Sequence, residues 1–134
     1  MRFSRRHILG MASAAAVASA TPGWAAGRKS VVATTGMIAD AARQVGGDLV
    51  EVRGLLGPGV DPHAYRQTRS DIVAMTRADL VLWHGLFLEA QMADFFHNMK
   101  QRGTVVAVAD AMPRALLRGH YAYPPKVCPH VWLV

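Results

Sequence analysis

The sequence has a single cysteine, Cys128, among its 134 residues. One cysteine cannot close a disulfide within the chain, and no cysteine lies near the N-terminus to carry a lipid. Lysine and arginine do not form a run with interleaved aromatic residues, which leaves nucleic-acid binding without support. The sequence therefore predicts a protein stabilised by its hydrophobic core, with no disulfide, no lipid anchor and no nucleic-acid partner.

Residues 1–26 have the three parts of an export signal peptide. Three basic residues, Arg2, Arg5 and Arg6, precede an apolar stretch that ends in small residues before Gly27. The stretch is too short and too rich in alanine for a membrane span, and the paired arginines resemble a twin-arginine signal. We expect export and cleavage before Gly27, with an uncleaved N-terminal anchor as the alternative. Cleavage leaves twelve basic against nine acidic residues, a formal charge of +3.

The remaining residues, 27–134, are enough for one small domain. Short apolar runs rich in β-branched residues predict four strands, near 31–35, 49–54, 79–83 and 104–108. Between them, apolar residues recur at helical spacing and predict three helices. They lie at 37–45, from a cap at Thr68 or Ser70 through Arg77, and at 88–101. Strands separated in this way by helices predict an α/β fold, a four-stranded parallel sheet with flanking helices.

Two histidines follow proline in short, stiff loops. His63 belongs to Gly-Pro-Gly-Val-Asp-Pro-His-Ala-Tyr at 57–65, and His130 to Cys-Pro-His-Val-Trp at 128–132. Proline fixes its own φ and restrains the residue before it, so each histidine is held on a backbone with little freedom. Ligands of parallel sheets collect at the carboxyl ends of the strands, and imidazole is the commonest protein ligand for metals. We therefore predict one metal site with His63 and His130 as ligands.

The other histidines are expected to have structural roles. His7 belongs to the export signal, whereas His97 on a helix and His120 in a loop are expected at the surface or in packing. His84 follows the third predicted strand. We expect it to be an ordinary polar residue at a strand end, with a place on the same edge as His63 as the alternative.

Residues 30–134 resemble the N-terminal half of the zinc- and manganese-binding solute receptors of bacterial ABC importers. The matching stretches occur in the family's order and with plausible spacing, at 31–40, 45–48, 57–65, 78–81, 85–89 and 129–133. The resemblance implies one lobe of a two-lobed receptor with the metal in the cleft between the lobes. It makes His63 and His130 metal ligands and assigns two further ligands to a second lobe, which we do not find in this chain.

The same resemblance implies the spatial strand order two, one, three, four. It also implies a periplasmic binding protein, not an enzyme, that carries zinc or manganese as its transported ligand. The partner of such a receptor is the membrane permease of the ABC importer.

Cys128 departs from the family pattern, because it replaces the aspartate of the second Asp-Pro-His. We expect the loss of an acceptor for the second ring nitrogen of His130, which weakens metal binding by about 10 to 100-fold. As a soft third ligand, Cys128 would favour zinc over manganese, with a side chain that points away across Pro129 as the alternative. A second departure, Arg66-Gln67 in place of Glu-Pro, adds positive charge beside His63. We expect weak binding to the isolated chain, with zinc bound better than manganese.

Two other functional interpretations of the sequence are open. The end of the chain at Val134 and the presence of Cys128 are consistent with a truncated gene product that has no transport function. A small enzyme would use Cys128 as nucleophile and His130 or His120 as base. Proline directly after the cysteine, with no helix N-terminus to lower the thiol pKa, disfavours such an enzyme.

Overall fold

The computed structural model describes residues 27–100, 104–119 and 127–133. Its strands are β1 Lys29–Ala33, β2 Val50–Gly54, β3 Leu80–Trp83 and β4 Val105–Ala107. The α-helices of the described residues are α1 Gly36–Gly46, α2 Arg69–Arg77 and α3 Ala93–Lys100. The strands form one parallel sheet in the order β2-β1-β3-β4, which confirms the predicted α/β architecture. The predicted export signal at 1–26 and His120 lie outside the described residues.

Polar side chains cap the start of α1 and of α2. Thr35 accepts a hydrogen bond from the amide of Ile38 at the start of α1. Thr68 begins α2 with a capping box, in which its hydroxyl accepts from the amide of Asp71 and the Asp71 carboxylate accepts from the amide of Thr68. Thr68, and not Ser70, is therefore the cap among the two that the sequence offered.

The third helix is shorter than the predicted range 88–101. A 3-10 turn at Ala90–Met92 precedes α3, which begins only at Ala93. The residues before that turn have left-handed backbone, with φ values of 86° at Gly85, 50° at Leu86 and 66° at Phe87. Left-handed residues cannot continue a right-handed helix, so the chain reverses direction here before α3 begins.

The core lies on both faces of the sheet. Alternate strand residues point to opposite faces, so Val32 faces α2 and α3 whereas Ala33 faces α1. On the α2 and α3 face, the rings of Trp83 and Phe96 stack with centroids 4.7 Å apart. The face under α1 is smaller and is formed around Ala33 and Ile38. In the described part of the chain, no helix is both long and apolar enough to cross a membrane.

The hydrogen-bond ladder continues past the strand ends and carries the loops above the sheet. The amide of Leu56 donates to Thr34 (2.9 Å), and that of Thr34 donates to Leu82 (3.0 Å). Beyond β3 and β4, the amide of Ala109 donates to the carbonyl of His84 (3.0 Å). The segments that follow all four strands therefore meet at one edge of the sheet, the edge at which parallel sheets bind ligands.

Candidate metal centre

The His63 loop is a sequence of tight turns after β2. The amide of Val60 donates to the carbonyl of Gly57 (3.2 Å), and Gly59 has a left-handed φ of 77°. The Asp61 carboxylate accepts a hydrogen bond from the amide of His63 (2.9 Å). This turn fixes the backbone of His63 while its ring stays exposed to solvent.

The buried carboxylate of Asp71 holds the segment that follows His63. It accepts hydrogen bonds from the Tyr65 hydroxyl (2.7 Å) and the Thr68 hydroxyl (2.7 Å), and Arg53 lies 3.8 Å away. Burial alone would raise the pKa of Asp71, but the bonds from Thr68 and Tyr65 outweigh it and hold the pKa below its ordinary value. The bond to Asp71 in turn raises the pKa of Tyr65.

The second histidine loop is held at its start by backbone contacts. Gly119 and Val127 form an isolated antiparallel bridge, and the amide of Cys128 donates to the carbonyl of Arg118 (2.7 Å). A short turn follows, since the amide of Val131 donates to the carbonyl of Pro129 (2.8 Å). The half-buried ring of His130 projects from this turn.

The structure brings the two predicted ligands together, because the ring centroids of His63 and His130 lie 5.5 Å apart, with ring planes at 64°. Both rings line one open groove of about 520 Å³. The apolar side chains that share this groove are Met37, Leu56, Val60, Leu88 and Trp132. The arrangement therefore brings two imidazole rings together in an open groove whose other side chains are mostly apolar.

Cys128 does not point away from the site. Its sulfur lies 3.4 Å from Nδ1 of His130, at the place where the family's aspartate was expected to act. The expected loss of a partner for that nitrogen is thus wrong in geometry, although sulfur is a weak acceptor. The two nitrogen lone pairs of an imidazole point in different directions, so an ion on Nε2 lies away from a sulfur at Nδ1. In this arrangement the sulfur of Cys128 contacts the His130 ring at Nδ1 and leaves Nε2 without that contact.

His84 is the residue that sequence reasoning misjudged. It is 3% exposed, and its Nε2 lies 2.6 Å from the carbonyl oxygen of Pro129. A carbonyl oxygen only accepts, so Nε2 carries the proton and donates it. The expectation of an ordinary polar residue at a strand end is therefore corrected. The available signal was its place directly after β3, on the same edge of the sheet as the His63 loop.

Glu89 was also missed, although it lies at the centre of the edge. Its carboxylate is fully buried and accepts from the Thr34 hydroxyl (2.6 Å), the His84 amide (2.8 Å) and the Gly85 amide (3.3 Å). Three donors offset the cost of burying the carboxylate. The left-handed turn that follows Gly85 is what returns the chain so that Glu89 reaches these donors.

Two other polar residues, Arg66 and His97, do not line the groove and are engaged elsewhere. Arg66 donates to the side chain of Gln91 (3.0 Å) at the surface. His97 contacts the carbonyl of Ala93 through Nδ1 (2.7 Å) and packs edge-on to Trp83, a packing role as expected. Across the ranges that the structure describes, no group of three or more His, Cys, Asp or Glu side chains is placed to hold one ion.

The fold is that of one lobe of a metal-receptor solute-binding protein. It is a parallel α/β lobe with two histidines, each preceded by proline, at the carboxyl edge of its sheet. Residues 31–134 match the family described as zinc-uptake complex component A, periplasmic. The chain belongs to this family. The predicted resemblance is thereby confirmed, and the family comprises periplasmic binding components of metal importers, not enzymes.

Three curated relatives show the range of metals within this similarity. The zinc-binding protein TroA of Treponema pallidum is 44% identical over 87 residues, 65% of this chain and 28% of TroA. The manganese-binding lipoprotein MntA of Bacillus subtilis is 45% identical over 84 residues, 63% of this chain and 28% of MntA. The iron-binding protein YfeA of Yersinia pestis is 35% identical over 121 residues, 90% of this chain and 38% of YfeA.

Solved structures of metal-binding proteins share this fold. The periplasmic zinc-binding protein TroA of Treponema pallidum superposes with a TM-score of 0.74 at 40% identity, over 79% of this chain and 38% of TroA. The manganese-bound periplasmic metal-binding protein of Candidatus Liberibacter asiaticus gives a TM-score of 0.67 at 30% identity, over 79% of this chain and 39% of that one. The chain thus spans well under half the length of the relatives it matches.

Proposed function

We propose that this chain is the metal-binding lobe of an exported substrate-binding protein that serves an ABC importer. His63 and His130 bind a divalent cation, zinc or manganese, which is cargo for the membrane permease of the importer. The observation that carries this proposal is the 5.5 Å separation of the two ring centroids. Family membership and the zinc- and manganese-binding relatives support it.

The ring separation agrees with the geometry of a shared ion. Zinc–nitrogen bonds are about 2.0–2.1 Å long, and tetrahedral coordination then sets two imidazole centroids about 5 Å apart. The observed 5.5 Å is close to this value, and His63 is exposed to solvent. Since Cys128 lies against Nδ1 of His130, Nε2 is the nitrogen of that ring that is available to the ion.

The number of ligands sets the expected affinity. Two imidazoles provide half of a four-coordinate shell, so the lobe alone binds weakly. Water, a second copy of the chain or a second lobe supplies the other ligands. The length of the relatives, of which this chain spans 28% to 38%, supports a second lobe as the source.

The donor set favours zinc over manganese. Imidazole nitrogen suits zinc, whereas manganese prefers carboxylate and other oxygen ligands. Both ligands proposed in this lobe are imidazoles, and Asp61, the nearest acid in sequence to His63, is engaged by the His63 amide. The second lobe then decides which of the two metals the complete receptor carries.

We also propose that residues 1–26 direct export to the periplasm and are removed before Gly27. The basic, apolar and small-residue order of that segment supports export, and the periplasmic description of the family agrees with it. MntA is named as a lipoprotein, and we propose that this chain differs from it, because Cys128 is its one cysteine. Intact-mass measurement of the periplasmic fraction tests this. A mass that retains Arg2 would contradict cleavage.

Calorimetric titration of the purified protein with zinc and with manganese tests the metal site. We expect His63→Ala and His130→Ala each to lower zinc affinity by at least about tenfold, because each removes one of two proposed ligands. His97→Ala is the matched control, since His97 lies on α3 and bonds locally to Ala93. Zinc affinity that is unchanged in His63→Ala, or lost equally in His97→Ala, would overturn the two-histidine site.

A further inference from the structure

A chain of hydrogen bonds joins β1 to the second histidine loop. The Thr34 hydroxyl donates to Glu89 (2.6 Å), and Glu89 accepts from the amide of His84 (2.8 Å). The side chain of His84 then donates to the carbonyl of Pro129 (2.6 Å). Each link is buried, so water does not compete for its donors and acceptors.

This series of hydrogen bonds ends at Pro129, one residue before His130. In the other described hydrogen bonds of the loop, the Cys128 amide donates to the Arg118 carbonyl or both partners belong to the loop, so these bonds connect it only to its own flanking segment. The bond from His84 ties it to the sheet. The Trp132 ring adds to this connection, because it lies edge-on both to His84 (5.4 Å) and to His130 (5.3 Å).

We propose that His84 is a positioning residue for the metal site. By donating a hydrogen bond to the Pro129 carbonyl, it holds the ring of His130 at the distance from His63 at which both can bind one ion. The inference rests on the proposed function, because the relative position of the two rings matters only if they bind the same ion. Nε2 of His84 does not bind the metal, because its proton is donated to Pro129 and that nitrogen has no lone pair to offer. A residue that holds a ligand in this way typically changes metal affinity by about 10 to 100-fold.

Two substitutions separate the donor from the ring. His84→Phe keeps a planar ring that can contact Trp132 but removes the donor. His84→Gln removes the ring but places an amide donor the same number of bonds from the backbone as Nε2. We expect zinc affinity, measured by calorimetry, to fall about tenfold or more in His84→Phe and to stay within about threefold of wild type in His84→Gln.

A second measurement needs no metal. Two-bond proton–nitrogen correlation spectra of the histidine rings report which nitrogen carries the proton. We expect a protonated Nε2 at His84 in the wild-type protein. In His84→Phe we expect the His130 ring signals to shift, because the second histidine loop loses its hydrogen bond to the sheet.

The outcomes are distinguishable from those of the proposed function. If the wild-type protein does not bind zinc through His63 and His130, the proposed function fails, and the ring spectra alone then decide whether His84 holds the loop. Zinc affinity at the wild-type level in folded His84→Phe, a His84 ring without a proton on Nε2, or loss of zinc binding in folded His84→Gln would each overturn the inference. If His84→Phe does not fold, the wild-type spectrum and the His84→Gln titration decide it.

Discussion

Cys128→Asp is expected to tighten zinc binding. In the wild-type protein, the partner of His130 Nδ1 is a sulfur at 3.4 Å, and sulfur accepts hydrogen bonds weakly. An aspartate at this position brings a charged acceptor to the same nitrogen. The carboxylate fixes the ring with its proton on Nδ1 and makes Nε2 a more basic ligand.

The size of the effect follows from the difference between two acceptors. A hydrogen bond to a charged group contributes about 1.5–3 kcal/mol, against about 0.5–1.5 kcal/mol for a neutral pair. The gain is therefore about 1 kcal/mol, or roughly fivefold to tenfold in affinity. This lies at the low end of the range for residues that support a metal ligand, because Cys128 already occupies the position and restrains the ring.

Calorimetric titration with zinc is the assay, with Cys128→Asn as the matched control. Asparagine has the shape of aspartate without its charge, so it separates the electrostatic gain from any change in packing. We expect the order of affinity to be Cys128→Asp, then wild type and Cys128→Asn, then Cys128→Ala, which has no partner for the ring. If Cys128→Asp binds zinc no better than Cys128→Asn, the sulfur at Nδ1 does not limit the site and the reasoning is refuted.

Three further predictions concern the support of the site. Asp71→Asn should lower the free energy of unfolding by about 1–3 kcal/mol at pH 7, measured by urea denaturation. Because the folded pKa of Asp71 is lowered, its contribution is lost as the pH falls below about 4, and an equal difference at pH 3 would contradict this. Phe96→Ala should cost about 3–5 kcal/mol in the same assay, because the ring is 1% exposed and stacks on Trp83; a loss under 1 kcal/mol would count against this packing. Gly85→Ala should lower stability by at least about 1 kcal/mol in thermal denaturation, because φ is 86° and an added Cβ would lie 3.0 Å from Ala107; an unchanged midpoint would show that the turn can relax.

Local pattern was sufficient for the elements and for the limits of the strands, but it placed the start of α3 five residues too early. Strand ranges agree with the structure to within about two residues, since β-branched runs and helical periods are properties of neighbouring residues. The start of α2 was predicted to within two residues, as a cap at Thr68 or Ser70, and the structure has Thr68. The order of the strands was not predicted in this way, because pairing joins segments far apart in sequence. It came from the resemblance to a family, and the structure confirms it.

The two candidate ligands could also be selected from the sequence, since a histidine after proline is a local feature and the carboxyl edge of a parallel sheet is a single place. Which side chains support them was decided only by tertiary packing. His84 lies 45 residues from Pro129, and Glu89 lies 55 residues from Thr34. Whether Cys128 faces His130 or solvent depends on one turn of backbone. Neither composition nor spacing contains these contacts, because they exist only once the segments above the sheet have been packed together.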